Sequence, residues 1–346
     1  MSTRKIFHLM MGTDGGTERF FLRLARAFHK RGIAQEFAIR PNRDWQPQLE
    51  PWGPINQGYF LRRTPVGLWQ AARLRRRITA SGADAVMAWR APAARLIPKG
   101  GPAAKIVRLG DYPRHLRHFG EIGSIVGNSP AVLAQCQRLG WQGPSTLISN
   151  FPPEVQVTPI PRQSLSTPKD VPLVCAVGRF SPSKGFDTLI RAIARTDDLW
   201  LWLVGDGEDR AELEALIAEL GLKDRVRLPG WASNTGDYMA AADVVCVPSR
   251  KEPLGNVLLE GWGSGRPVVM TRSEGPDWAA TQRRDALKVD VDDVEDLAAA
   301  LSEVAHSPDL AARLVAGGRQ VLAERFSEEV VVAAYLDLFE RLRSAP

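Results

Sequence analysis

The chain has 346 residues, 44% hydrophobic and 24% charged. These are the proportions of a soluble globular protein, and the length suits two domains of about 150 to 170 residues each. No apolar run reaches the roughly 18 to 20 residues a bilayer span requires, and Met1-Ser-Thr-Arg-Lys-Ile6 has no signal-peptide core, so a cytoplasmic location is expected. The net charge of +6 hides a division: residues 1–151 hold 23 Lys and Arg against 8 Asp and Glu (+15), and the remainder 22 against 31 (−9). Such asymmetry concerns partners rather than fold. A basic half suits an anionic membrane surface, a phosphorylated acceptor or a nucleic acid, or is a solvated face with no partner. Cys136, Cys175 and Cys246 lack metal-ligand spacing, and the last two lie in apolar runs where a reduced thiol acts as a small hydrophobe.

In chain order, Lys5 to Met10 reads as an apolar strand, Gly12-Thr-Asp-Gly-Gly-Thr17 as a turn, and Glu18 to His29 as a helix with Phe21, Leu22, Leu24, Ala25 and Phe28 inward. Strand, glycine-rich turn and helix open a doubly wound sheet. Gly15 and Gly16 at the helix start allow a phosphate to approach the backbone, although a turn needing positive φ explains them nearly as well. Further strands are expected at Glu36 to Ile39, Ala85 to Ala88, Ile106 to Leu109 and Ile122 to Val126, with helices at Trp69 to Thr79 and Pro130 to Leu139. Arg73, Arg75, Arg76 and Arg77 follow Val66, Leu68 and Trp69 at helical spacing, which suits a membrane interface or an anionic acceptor, or equally a core-facing amphipathic helix.

Between Phe151 and Pro172 six prolines mark a linker. The strand and helix alternation then restarts. Strands are expected at Leu173 to Val177, Trp200 to Val204, Val226 to Leu228, Val244 to Val247 and Val268 to Met270, and helices at Phe186 to Arg195, Asp209 to Leu220, Asp237 to Ala241 and Val257 to Trp262. Gly178 to Gly185 presents Arg179 and Lys184 around Ser181-Pro-Ser183, a compact cationic turn after a strand. Gly205-Asp206-Gly207 and Pro229-Gly-Trp231 end two more strands. Glu252-Pro-Leu-Gly-Asn-Val-Leu-Leu-Glu260 places two carboxylates eight positions apart, around a helix start near Leu254, Gly255 and Asn256 that is aimed at an anion.

Cations and helix amides for a diphosphate, with a carboxylate for a ribose diol, suit a nucleotide sugar. Together these segments resemble the retaining glycosyltransferases of family 4 (group 1 glycosyltransferases), most closely in the second half. The resemblance implies an α/β fold of two Rossmann-like doubly wound domains facing across a cleft, the B-type (GT-B) architecture. One domain, 1–153 completed by a returning helix within 328–346, would bind acceptor; the other, 154–327, would bind donor. It also implies that Glu260 accepts ribose hydroxyls, that Glu252 lies by the donor sugar or phosphates, and that Gly178, Gly205, Asp206, Gly207 and Pro229 line the donor site. Arg179 and Lys184 would steady the departing diphosphate without a metal or other cofactor. Asp290-Val-Asp292 matches an Asp-x-Asp pattern formally but resembles a late domain-closing loop.

Many relatives carry a His after the strand matching Ile106 to Leu109, where this chain reads Arg108-Leu-Gly-Asp111. Asp111 is therefore the candidate polar group near the reacting carbon, with Arg108 second, and His115 and His118 are acceptor-side candidates. The expected activity is hexosyl transfer with retention to a lipopolysaccharide core or other lipid-linked saccharide, by a cytoplasmic protein docked peripherally on the membrane. A nucleotide-sugar epimerase of the same fold and a basic nucleic-acid-binding protein are the alternatives. The latter lacks any aromatic-basic RNA motif or recognition-helix pattern, so no nucleic acid is expected.

Overall fold

A computed structural model of the chain describes residues 5–13, 15–102, 104–154 and 157–344; Met1 to Arg4 of the amino-terminal reading and Asp14 of the glycine turn lie outside the described residues. The chain divides into two compact units, Met1–Phe151 with Glu328–Pro346, and Pro152–Ser327.

In the first unit, seven strands form one parallel sheet: β1 (Lys5–Met10), β2 (Ala34–Ile39), β3 (Ile55–Gln57), β4 (Ala85–Trp89), β5 (Ala104–Leu109), β6 (Ser124–Gly127) and β7 (Ser145–Leu147). Their order is β3-β2-β1-β4-β5-β6-β7. Helices α1 (Gly16–Lys30), α2 (Pro65–Ala80) and α3 (Pro130–Arg138) provide crossovers. The central strands are buried on both faces, as a parallel sheet covered by helices requires. The three-residue edge strands β3 and β7 escape sequence patterning because they are short and half exposed.

The second unit has a six-stranded parallel sheet, β8 (Leu173–Val177), β9 (Trp200–Val204), β10 (Val226–Gly230), β11 (Val244–Val247), β12 (Val268–Thr271) and β13 (Leu287–Val289), in the order β10-β9-β8-β11-β12-β13. Its helices are α4 (Phe186–Ile193), α5 (Arg210–Glu219), α6 (Thr235–Ala241), α7 (Asn256–Gly263), α8 (Glu274–Ala279), α9 (Val294–His306) and α10 (Pro308–Arg325). Trp262 of α7 is buried, donates from Nε1 to the Asp285 carbonyl at 2.8 Å, and lies so near α10 that a Cβ on Gly318 would come within 2.3 Å of its ring. The last helix, α11 (Glu328–Ser344), returns to the first unit, where Tyr335 packs edge-on against Phe28 at 6.2 Å and Glu328 pairs with Arg31 at 3.1 Å.

In each sheet the chain runs outward from a central strand, then restarts on that strand's other side: between β1 and β4 in the first, between β8 and β11 in the second. Loops leaving the carboxyl ends of such adjacent strands diverge and leave a crevice, the usual ligand position in open α/β sheets. The glycine turn after β1, the Arg179 loop after β8 and the Glu252 loop after β11 all leave strands that flank these switch points.

Candidate functional site

The loop after β8 meets the loop after β11. Pro182–Lys184 forms a single helical turn closed by Gly185 at φ +64, where a Cβ would lie 2.2 Å from the Pro248 carbonyl oxygen, so only glycine permits this approach. The main-chain N–H groups of Arg250 and Lys251 donate to the Ser183 carbonyl at 2.9 and 3.2 Å. This seam sets the Lys184 ammonium against the Glu252 carboxylate, with side chains only 20% and 16% exposed. The Ser249 hydroxyl lies 3.4 Å from the same carboxylate oxygen. The two motifs, 68 positions apart in the chain, are thus one ion pair. Arg179 is exposed and makes no ion pair among the described residues.

Beyond Glu252, Gly255 adopts φ +86 as the N-cap of α7, and no side chain caps the helix start. The helix dipole favours negative charge at this start. The Gly275 amide ties the turn from behind by donating to the Glu252 carbonyl at 3.0 Å. Glu260 lies in the second turn of α7, half-buried, with the Thr235 hydroxyl of α6 3.5 Å from its Oε2. Leu254 has its side chain in the core at 2% exposure, so only its backbone is left to face a ligand.

At the ends of β9 and β10, packing explains the glycines. A Cβ on Gly205 would lie 1.9 Å from the Gly178 carbonyl oxygen, and one on Gly207 2.2 Å from that of Phe180. Asp206 is exposed, accepts from the Gly207 amide at 2.8 Å and pairs with Arg210 at 3.6 Å. Pro229 is half-buried, while Trp231 is 65% exposed. Asp292 binds Arg250 and Thr188, both at 2.7 Å, and so is part of the scaffold. Among the described residues no cluster of three or more His, Cys, Asp and Glu is arranged to hold a metal.

In the first unit the glycine turn surrounds a group that sequence patterning did not single out. Glu18, 1% exposed, sets Oε1 only 1.6 Å from where a Cβ on Gly12 would be, and Arg90, at φ +72 just past β4, brings a guanidinium nitrogen to 3.6 Å from that oxygen. An acid in the first turn of a helix, behind two glycines, was the available signal. Gly15 and Gly16 stand at the start of α1, again without a side-chain cap.

Arg108, the second candidate near the reacting carbon, is buried and so is not exposed to an acceptor or a membrane. It is 1% exposed, its guanidinium donates to Asn150 Oδ1 and lies over the rings of Phe20 and Trp89 at 4.7 and 5.5 Å, and burial holds its pKa below the usual arginine value. Asp111 is exposed and accepts from the Tyr112 amide at 2.7 Å. His115 is exposed and His118 half-buried, ring to ring at 6.1 Å; burial first, then the nearby positive charges of Arg95, His115, Arg117 and Arg63, lower the His118 pKa.

Helix α2 buries Ala71, Leu74 and Ile78 and leaves Val66, Leu68 and Trp69 outside at 64, 58 and 60% exposure. Arg73 lies over the Trp69 ring at 5.6 Å, Arg75 donates to the Arg95 carbonyl at 2.6 Å, and Arg76 is exposed. Arg77 is exposed but ion-paired, its Nε donating at 2.6 Å to Glu36, a buried carboxylate that Lys5 also reaches at 3.2 Å. Among the described residues no helix is long and apolar enough to cross a membrane.

The family model described as "Glycosyl transferases group 1" matches residues 158–321, the span that holds both loops and α7. The lipopolysaccharide core biosynthesis glycosyltransferase LpsD of Rhizobium meliloti is 43% identical over 337 residues, covering 97% of this chain and 98% of the relative. LpsE of the same organism, which carries the same description, is 40% identical over 334 residues, 96% of this chain and 98% of the relative. Among solved structures, Anabaena Alr3699/HepE in complex with UDP and glucose shares the fold with a TM-score of 0.80 at 20% identity, over 98% of this chain and all of that one. Two parallel-sheet, Rossmann-like units of the B-type fold and near full-length likeness to curated members together establish that this chain is a glycosyltransferase and belongs to the group 1 glycosyl transferase family.

Proposed function

We propose that the protein transfers a hexose, with retention, from a nucleoside-diphosphate sugar to a saccharide of the lipopolysaccharide core, without a metal ion. The observation that carries this reading is the Lys184–Glu252 pair beside the start of α7, which brings a cation and a carboxylate to the positive end of a helix. The bond between the anomeric carbon and the phosphate oxygen breaks, and its electron pair leaves with the diphosphate. Lys184, Arg179 and the α7 amides neutralise the charge growing on the phosphate that departs. The acceptor hydroxyl oxygen forms the new bond on the same face, and its proton passes to the departing diphosphate. Glu260 accepts the ribose hydroxyls; in the first unit Asp111 is the polar group near the reacting carbon, and His115 and His118 are the acceptor-side groups.

The names of LpsD and LpsE support a lipopolysaccharide core acceptor, and UDP bound to the Anabaena protein supports a nucleotide donor. A cytoplasmic protein resting on the inner face of the membrane suits such an acceptor. Its docking surface is Val66, Leu68 and Trp69 of α2 with Arg73 and Arg76 beside them, apolar groups for the interface and cations for anionic headgroups. The test offers UDP-, GDP- and ADP-hexoses with lipopolysaccharide core acceptors in EDTA and reads the product's anomeric configuration by NMR. An inverted product refutes retention; activity that disappears in EDTA and returns with magnesium or manganese refutes the metal-free mechanism.

A further inference from the structure

Arg250, two residues before Glu252, uses its whole guanidinium behind the Lys184 loop. Its Nε donates to Asp292 Oδ1 at 2.7 Å. Nη1 donates to the Pro182 carbonyl at 2.9 Å and to Asp187 Oδ1 at 2.8 Å. Nη2 donates to Asp187 Oδ2 at 2.7 Å and to the Thr188 hydroxyl at 3.0 Å. Thr188 in turn donates to Asp292 Oδ1 at 2.7 Å, and Asp292 is held at φ +63.

One side chain thereby joins the turn ahead of Lys184, the first turn of α4 and the loop before α9. Its own main chain completes the attachment through the Ser183 carbonyl, and Gly185 touches the Pro248 carbonyl directly. Neither Lys184 nor Glu252 belongs to this knot, yet each is separated by one residue or less from an atom in it. Only a planar fork satisfies this set: the two Asp187 oxygens take parallel N–H bonds while Nε and the remaining N–H groups point at three other acceptors. A lysine ammonium has three donors from a single point. Burial would raise the Asp187 pKa, but the hydrogen bonds and charge of Arg250 hold it below the usual carboxylate value.

We propose that Arg250 is a positioning residue, which touches no substrate itself but fixes the Lys184 ammonium opposite Glu252 at the place the departing phosphate occupies. The proposal rests on the donor-site reading above. It requires the effect of Arg250 on phosphate binding to run through Lys184, so the two residues must be coupled.

The experiment titrates UDP, GDP, ADP and CDP and the matching monophosphates into wild type, Arg250→Lys, Lys184→Ala and the double variant, with melting temperatures recorded alongside. The tightest diphosphate should bind Arg250→Lys about tenfold more weakly, with little change for its monophosphate, and Lys184→Ala should cost little more once Arg250 is gone. Asp292→Asn, which keeps the Oδ1 acceptor but removes the charge of one of the two carboxylates on Arg250, should give a smaller loss of the same kind and carries the test if Arg250→Lys does not fold. Additive losses in the double variant, equal losses for diphosphate and monophosphate, or wild-type diphosphate affinity in the folded variants would each overturn the proposal while leaving the donor site intact. A wild-type protein that binds no nucleoside diphosphate would overturn both.

Discussion

His8 makes the most quantitative prediction, because its two ring nitrogens are given opposite roles inside the first sheet. It has no exposed surface, and its ring stacks on Phe37 at 5.4 Å. The Trp89 indole, which can only donate, points at Nδ1 from 3.3 Å. Nδ1 therefore accepts, and Nε2 carries the hydrogen donated to Gln35 Oε1 at 3.1 Å. A second proton on Nδ1 would face the indole N–H head-on, so the neutral form is demanded by geometry as well as by burial. Burial lowers the pKa from 6.5 to about 3, against a smaller raising effect of the Gln35 bond.

The unfolded chain thus binds a proton that the folded chain refuses. The His8 contribution to stability is whole above pH 6.5 and is lost as the pH falls from 6.5 toward 3. From pH 7 to pH 5 this linkage amounts to about 2 kcal/mol, a value insensitive to the folded pKa so long as that lies well below 5. His8→Gln preserves an acceptor and a donor without a titrating group. Urea unfolding of wild type and variant at both pH values should show the variant losing about 2 kcal/mol less on acidification. Nitrogen NMR of histidine-labelled protein should find one ring neutral and protonated on Nε2 down to pH 5. A His8 ring that titrates near 6.5 in the folded protein, or equal pH slopes for the two proteins, would refute the reasoning.

Glu260→Ala should weaken nucleoside-diphosphate binding by about 2 to 3 kcal/mol, roughly 30- to 150-fold, through lost charge-assisted bonds to the ribose. The same substitution should leave binding of the 2′,3′-dideoxy analogue unchanged; equal losses for both would make Glu260 a structural residue. Gly318→Ala should destabilise by about 1 to 3 kcal/mol in a thermal or urea melt, reversing the usual gain for alanine in a helix, since its Cβ meets the Trp262 ring. A more stable variant would show that α10 shifts freely. Replacing Trp69, Arg73 and Arg76 together by Ser, with Arg77 left to Glu36, should reduce sedimentation with anionic liposomes in a salt-dependent way, at about 1 kcal/mol per arginine. Wild-type sedimentation by this variant, or no binding by the native protein at low salt, would leave α2 as solvated surface.

Much of this protein is written locally. The central strands are apolar runs buried on both faces, so composition alone reveals them, and β8, β9 and β11 have the bounds their residue patterns imply. The glycine turns, the cationic loop and the Glu252 to Glu260 spacing are local too, since a strand, a turn and a helix start all lie within a dozen residues. Edge strands β3 and β7 and the helices α8, α9 and α10 carry weaker signals, because few of their residues face a core on both sides. Pairing is what the linear chain cannot express. Lys184 and Glu252 become one ion pair only because β8 and β11 are neighbours across a switch point, which depends on strand order and not on either segment. Arg108 and Arg77 read as surface cations in a basic half, yet one is enclosed by Phe20, Trp89 and Asn150 and the other is held by Glu36, each partner distant in sequence. A charge written in one dimension has no stated environment; the folded chain supplies it, and with it decides which cations remain available to a substrate or a membrane.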